Sequence, residues 1–188
     1  MTPEISPARR NIELKAHLPD LAAARQVARR VATRDGGVLE QVDTYFPCDS
    51  GRLKLREING QRAELIWYVR PDGERERPSN YRIVAVPDAA ATKELLTAAL
   101  GCRAVVRKHR ELFWHENVRI HLDTVDGLGT FLEFEAVLDA VDVRAGEDPR
   151  RATSDEHKAT ERLAWLREQF AIQPDQLIAN SYGDRLAT

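Results

Sequence analysis

Arg52, Lys54 and Arg56 occupy alternate positions in the run RLKLREI, and Lys108 and Arg110 do the same in VVRKHREL. A spacing of two places each set on one face of an extended strand. Acidic residues follow the same rule elsewhere: Glu13 with Lys15 in NIELK, Asp123 with Arg119 and His121 in VRIHLD, and Glu133 with Glu135 in FLEFE. Arg70 lies in parity with Tyr68 and Glu64 at the end of AELIWYVR. Guanidinium forks match pairs of phosphate oxygens, and ammonium groups add point charges. Carboxylates suit hard divalent cations such as Mg²⁺ or Mn²⁺, which bridge to phosphates through oxygen. Cations on one wall and the acids Glu13, Asp123, Glu133 and Glu135 on the other describe a polyphosphate site. Neither GxxxxGK[ST] nor GxGxxG occurs, so a glycine-rich phosphate loop is not the device used.

These residues need strands to carry them, and the alternation predicts eight. The first begins at Arg9, in RRNIELKAHL. Others are expected at 38–46, 52–58, 63–69, 80–86, 104–114, 118–125 and 130–138, several joined by hairpin-length turns. The stretch PDLAAARQVARRVATRDGG predicts a helix stopped by Gly36-Gly37. A second helix over 89–100 has Asp88 as N-cap and Gly101 just past its end. The charged segment 142–152 reads as a mobile loop. The last helix is expected from Ser154, with a capping box at Thr153 and Glu156 and a stripe of Ala159, Leu163, Leu166 and Phe170.

Short connections favour an antiparallel sheet, since parallel winding needs a helix between nearly every pair of strands. An open sheet with one wet face is the ordinary outcome of alternation. Here the polar faces are densely charged, with basic and acidic strands segregated, and eight strands suffice to close. The expectation is therefore an α+β fold: a closed eight-stranded antiparallel β-barrel with a polar interior, flanked by α-helices, formed by 1–188 as a single domain. A tunnel so basic repels itself when bare, and a highly charged anion is its natural occupant.

Composition adds limits. The 188 residues are 43% hydrophobic and 31% charged, an ordinary globular balance, and the net charge of −2 demands no nucleic acid. Cys48 and Cys102 make no metal-type spacing, so a reduced cytoplasmic protein is expected. There is no signal-like apolar core and no run of about 18 apolar residues, so no membrane span is predicted.

The chain resembles the CYTH family: class IV adenylate cyclases, thiamine triphosphatases and inorganic triphosphatases of the triphosphate tunnel metalloenzyme fold. The resemblance is carried in order by NIELK, QVDTYF, GRLKLRE, VRKHR, LDTVDGLGTFLEFE and SYGDRL. It implies that Glu13, Asp123, Glu133 and Glu135 bind metal, and that Lys15, Arg52, Lys54, Arg56, Lys108, Arg110 and Arg119 bind phosphate. Tyr68 falls where many members have Lys, and Arg70 is expected to compensate. Glu13, Lys15, Glu133 and Glu135 become the catalytic candidates, with Mg²⁺ or Mn²⁺ as cofactor. The implied reaction is hydrolysis of a small-molecule triphosphate or nucleotide; the alternatives are an adenylate cyclase and a non-catalytic triphosphate-binding module.

The family's E-x-E-x-K reads Asn11-Ile12-Glu13-Leu14-Lys15 here, and an amide oxygen coordinates a cation without adding charge or acting as a base. Weaker binding of one metal is the expected consequence. His121 is read as a structural histidine or a proton donor, His17 as a rim residue, and Asp43 and Tyr45 as partners of basic neighbours. Trp67, Trp114 and Trp165 are read as packing residues. A monomer or homodimer is expected.

Overall fold

The computed structural model describes residues 9–70, 76–138 and 149–186. Its strands are β1 (Arg9–His17), β2 (Arg34–Phe46), β3 (Arg52–Ile58), β4 (Arg62–Val69), β5 (Arg77–Val86), β6 (Ala104–His115), β7 (Val118–Val125) and β8 (Gly129–Leu138). The helices are α1 (Leu21–Val31), α2 (Ala89–Leu100), α3 (Pro149–Gln169) and α4 (Tyr182–Leu186), with a 3-10 turn at Pro174–Gln176. The strands close in the order β1-β5-β4-β3-β2-β6-β7-β8, every pair antiparallel, with β8 returning to β1. This is the eight-stranded antiparallel barrel that the alternation predicts.

The barrel is inside out. Ile12, Leu14 and Ala16 of β1, Val118, Ile120 and Leu122 of β7, and Leu132, Phe134 and Ala136 of β8 point outward and are buried. Ala24 and Ala28 of α1 and Ala159, Leu163 and Leu166 of α3 cover them, so the main core lies between wall and helices. A smaller cluster joins Phe46, Leu55 and Ala63 to Leu96 of α2. With the apolar faces satisfied outside, the alternate positions are left for the tunnel.

Local chemistry sets most boundaries. Asp20 caps α1 by accepting from the Ala23 N–H at 2.9 Å, and Asp88 caps α2 through Ala91 at 2.9 Å. Gly101 ends α2 at φ 79°, a conformation open to glycine. Gly36-Gly37 does not stop a helix: α1 ends five residues earlier, and both glycines lie in β2 at a bulge between Asp35 and Gly37. Pairing of Arg34 with Trp114 extends the β2–β6 ladder and overrides the glycine signal. α3 starts at Pro149 rather than Ser154, so Thr153 is inside the helix and the expected capping box is not its start. The rest of the expected loop, 142–148, lies outside the described residues.

Both cysteines are free and exposed. Among the described residues no helix is long and apolar enough to cross a membrane.

Candidate functional site

Antiparallel pairing brings one end of every strand to the same end of the barrel. The far end is closed from inside by Tyr45, Val106, Val125 and Phe131, packed with Ile178 and Tyr182 from the C-terminal segment. That segment is recruited by β1, where the Ile178 N–H donates to the Lys15 carbonyl at 2.9 Å and Ala16 bridges Leu177. Ahead of this seal lies a cavity of about 350 Å³. Ten of the twelve predicted site residues line it: Glu13, Lys15, Lys54, Arg56, Arg70, Lys108, Arg110, Arg119, Glu133 and Glu135. Arg52 and Asp123 do not. Arg52 instead reaches Asp184 of α4 at 3.0 Å, and Asp123 is sunk behind the lining without solvent contact.

Two buried aspartates organise the basic groups. Asp43 accepts from Arg56 Nε and Nη2 at 2.7 Å each and from Lys54 Nζ at 3.0 Å, with Lys108 Nζ at 3.6 Å. This is the role expected for Asp43. Burial alone would raise its carboxyl, but Arg56, Lys54 and Lys108 carry it well below the usual carboxylate range. Asp123 accepts from Arg110 Nε and Nη2 at 2.6 Å each and from the Tyr182 hydroxyl at 3.0 Å. Bidentate pairing fixes both guanidinium planes before any ligand arrives.

The acids of β1 and β8 are interleaved with bases. Lys15 Nζ stands 3.4 Å from Glu133, which also accepts from Arg110 Nη2 at 2.8 Å. Arg119 donates to Glu135 at 3.1 Å, Asn11 Nδ2 donates to Glu135, and Arg70 donates to Glu13. His121 lies between Glu133, at 3.5 Å, and Glu135, at 3.9 Å. Burial and then Arg110 lower its pKa, which keeps the ring neutral near pH 7. Burial also lowers Lys15 and Lys108, in Lys108 with help from Arg110, and brings Lys54 down to about 8. Lys15 sits 3.7 Å above the Tyr182 ring, a cation–π contact across the seal.

Several polar atoms have no hydrogen-bond partner among the described residues. Arg70 Nε and Nη2 and Arg119 Nε are buried donors in this state, and Asn11 Oδ1 is a buried acceptor. Such groups are costly unless something else meets them. The donors suit an anion. Asn11 Oδ1, beside Glu135, suits a cation, and Glu13 faces Glu135 across the β1–β8 register with Glu133 two residues on. These are hard oxygen donors on neighbouring strands, and in type they fit Mg²⁺ or Mn²⁺. Among the described residues no three acidic, histidine or cysteine side chains are gathered closely enough to hold a metal ion as they stand, because the carboxylates pair with bases.

The model of the CYTH domain matches residues 9–170. The chain belongs to the CYTH family. No match was found among curated proteins. Of solved structures, the CYTH barrel is similar to the PH1012 protein of Pyrococcus horikoshii at 19% identity, covering 94% of this chain and 99% of that one, TM-score 0.75. It is similar to a Vibrio parahaemolyticus protein named as a candidate adenylate cyclase at 20% identity, covering 93% and 95%, TM-score 0.67. It is also similar to a chain of the Schizosaccharomyces pombe Mediator head module at 8% identity, covering 86% and 94%, TM-score 0.62. At these identities the likeness is one of fold.

Tyr182 and Ser181 line the CYTH tunnel and are absent from the residues predicted to form the site. The motif SYGDRL is visible in the sequence, but nothing local says that five residues of helix fold back to seal a barrel. Trp114 lines the tunnel as well, with the Arg34 and Arg119 guanidinium groups 4.5 and 5.1 Å from its ring centre. Trp165 is not core packing: it is 40% exposed and stacks on His115 at 4.8 Å.

Proposed function

We propose that this CYTH protein is a metal-dependent phosphohydrolase that binds a triphosphate-bearing small molecule in the barrel and cleaves its phosphoanhydride chain. The observation that carries this reading is the set of buried guanidinium N–H groups on Arg70 and Arg119 that no group among the described residues accepts. Arg70 and Arg119 belong to the lining of a cavity that, among the described residues, carries nine basic side chains and four carboxylates. An anion with many oxygens meets both conditions at once.

The chain's own part in the chemistry is electrostatic. Arg56 and Arg110, fixed from behind by Asp43 and Asp123, present their guanidinium groups to the phosphates without reorganising. Lys15, Lys54 and Lys108 add charge that strengthens as negative charge grows on the leaving oxygens. Glu13, Glu133 and Glu135, with the amide oxygen of Asn11, would hold Mg²⁺ or Mn²⁺, which supplies charge neutralisation and a more acidic water. Asn11 lowers the negative charge of that set by one relative to a glutamate, so cation affinity is expected to be weaker.

The test is product analysis with purified protein, tripolyphosphate or ATP, and Mg²⁺ or Mn²⁺. Metal-dependent release of orthophosphate supports the reading. Formation of cyclic AMP and pyrophosphate replaces hydrolysis with cyclisation, and tight binding without turnover makes the protein a binding module.

A further inference from the structure

Two kinds of ion pair meet in the tunnel. Arg56 and Arg110 are each gripped through Nε and Nη2 together, by Asp43 and Asp123. Neither aspartate has solvent-accessible surface or belongs to the cavity lining, so these forks are tied from behind the wall. Arg70 and Arg119 are held differently. Each donates from Nη1 to a carboxylate of the lining, Arg70 to Glu13 and Arg119 to Glu135. Each also keeps a buried Nε with no hydrogen-bond partner among the described residues, and Arg70 keeps Nη2 in the same state. A two-point fork fixes a guanidinium plane, whereas a one-point contact with donors to spare can be exchanged.

The carboxylates in these one-point contacts are the ones that suit a divalent cation. Glu133, the third, is met by Lys15 at 3.4 Å and by Arg110 at 2.8 Å. In the ligand-free barrel, bases therefore stand where the cation belongs. A cation arriving alone must draw Glu13 away from Arg70, which is only 7% exposed. That leaves a buried guanidinium without its counter-charge, an unfavourable exchange. A phosphate chain changes the balance. Its oxygens accept from the spare donors of Arg70, and its charge replaces that of Glu13. Glu13 then turns to the cation instead of the guanidinium.

We infer that Arg70 is the internal occupant of the Glu13 end of the metal site, exchanged for a divalent cation when a phosphate chain takes the guanidinium. Arg119 does the same at Glu135. This rests on the reading that the tunnel binds a polyphosphate together with a divalent cation. The consequence is a positive coupling between the two ligands: the protein refuses the bare cation and accepts it with the phosphate chain.

The test takes each ligand separately on the full chain: Mn²⁺ alone, followed by the paramagnetic resonance of the free ion, and tripolyphosphate in EDTA, followed by calorimetry. Arg70→Gln should tighten Mn²⁺ about tenfold and weaken tripolyphosphate about tenfold, the scale of one hydrogen bond to a charged group. A merely loosened barrel loses affinity for both, so the opposite signs mark the exchange. Arg119→Gln, at a half-buried position, should shift both affinities in the same directions and serves as the second probe should the Arg70 variant fold poorly. If Mn²⁺ affinity does not rise, or tripolyphosphate affinity does not fall, in either variant, the exchange is overturned, and tripolyphosphate binding to the unaltered protein leaves the phosphate site standing. If the unaltered protein and both variants bind neither ligand, the phosphohydrolase reading fails and the exchange with it.

Discussion

Asp43 has no solvent-accessible surface and faces three basic groups, so at the scale of single residues it is the counter-ion on which the site's order depends. Asp43→Asn leaves Arg56, Lys54 and Lys108 buried without their shared charge. A loss of about 3–5 kcal/mol is expected in urea denaturation, the scale for breaking a buried pair from one side; a loss under about 1 kcal/mol would show that water reaches these cations freely. The pH dependence has a definite sign. The folded carboxyl is depressed below its unfolded value of about 3.9, so its stabilisation is complete above that value and is lost as pH falls below it. Lys54 gives the opposite kind of readout. Its ammonium, lowered to about 8 by burial and by Arg56, is the form that attracts phosphate. Triphosphate affinity should therefore decline as pH rises past about 8, and Lys54→Arg, charged throughout, should flatten that share of the profile. Calorimetric titration of both proteins across that range decides it; identical profiles would remove Lys54 from the phosphate contacts. Parity in the sequence was enough to place Lys54, Arg56 and Lys108 on the inner face. It could not separate Glu133, which lines the cavity, from Asp123, which lies behind it, because alternation reports a face and not a depth.

The C-terminal segment is the element that turns a tunnel into a pocket. Tyr182 donates to Asp123, while Asp184 accepts from Ser181 Oγ at 2.7 Å and pairs with Arg52 at 3.0 Å and Arg103 at 3.1 Å. Gly183 permits this approach, since a Cβ there would lie 2.9 Å from the Tyr45 ring. Gly183→Ala should destabilise by about 1–3 kcal/mol, the cost of overpacking. The damage should be local, seen as faster amide hydrogen exchange over residues 181–186 with β7 and β8 unchanged. Unaltered exchange there would mean that the ring simply moves aside. Elements differed in how readily the sequence disclosed them. Asp88 and Gly101 bound α2 as expected because capping is a local contest between side chain and backbone. The seal and the β2 bulge at Gly36-Gly37 depend on partners far along the chain, Lys15 for one and Leu112 for the other, and no local pattern encodes them.

At the scale of the whole molecule, the net charge of −2 conceals an interior in which, among the described residues, nine basic side chains line the cavity with four carboxylates. Closing eight strands concentrates those charges in a space shielded from counter-ions, so the empty barrel carries self-repulsion that an anion relieves. A fold sets no chemistry by itself, so the lining must decide. A consequence follows for stability. A ligand held only by the folded barrel stabilises it by mass action, by about 2.7 kcal/mol at a concentration one hundred times its dissociation constant. For a domain of this size that corresponds to a rise in Tm of roughly 5–10 °C. Tripolyphosphate should produce such a shift, while sodium chloride at matched ionic strength should produce a much smaller one, since screening acts weakly on buried groups. Substituting Lys15 and Lys108 together by Met removes two cations that line the cavity and should abolish the shift with tripolyphosphate. If chloride stabilises as strongly as tripolyphosphate, the interior is a screened surface and not a site built for a polyvalent anion.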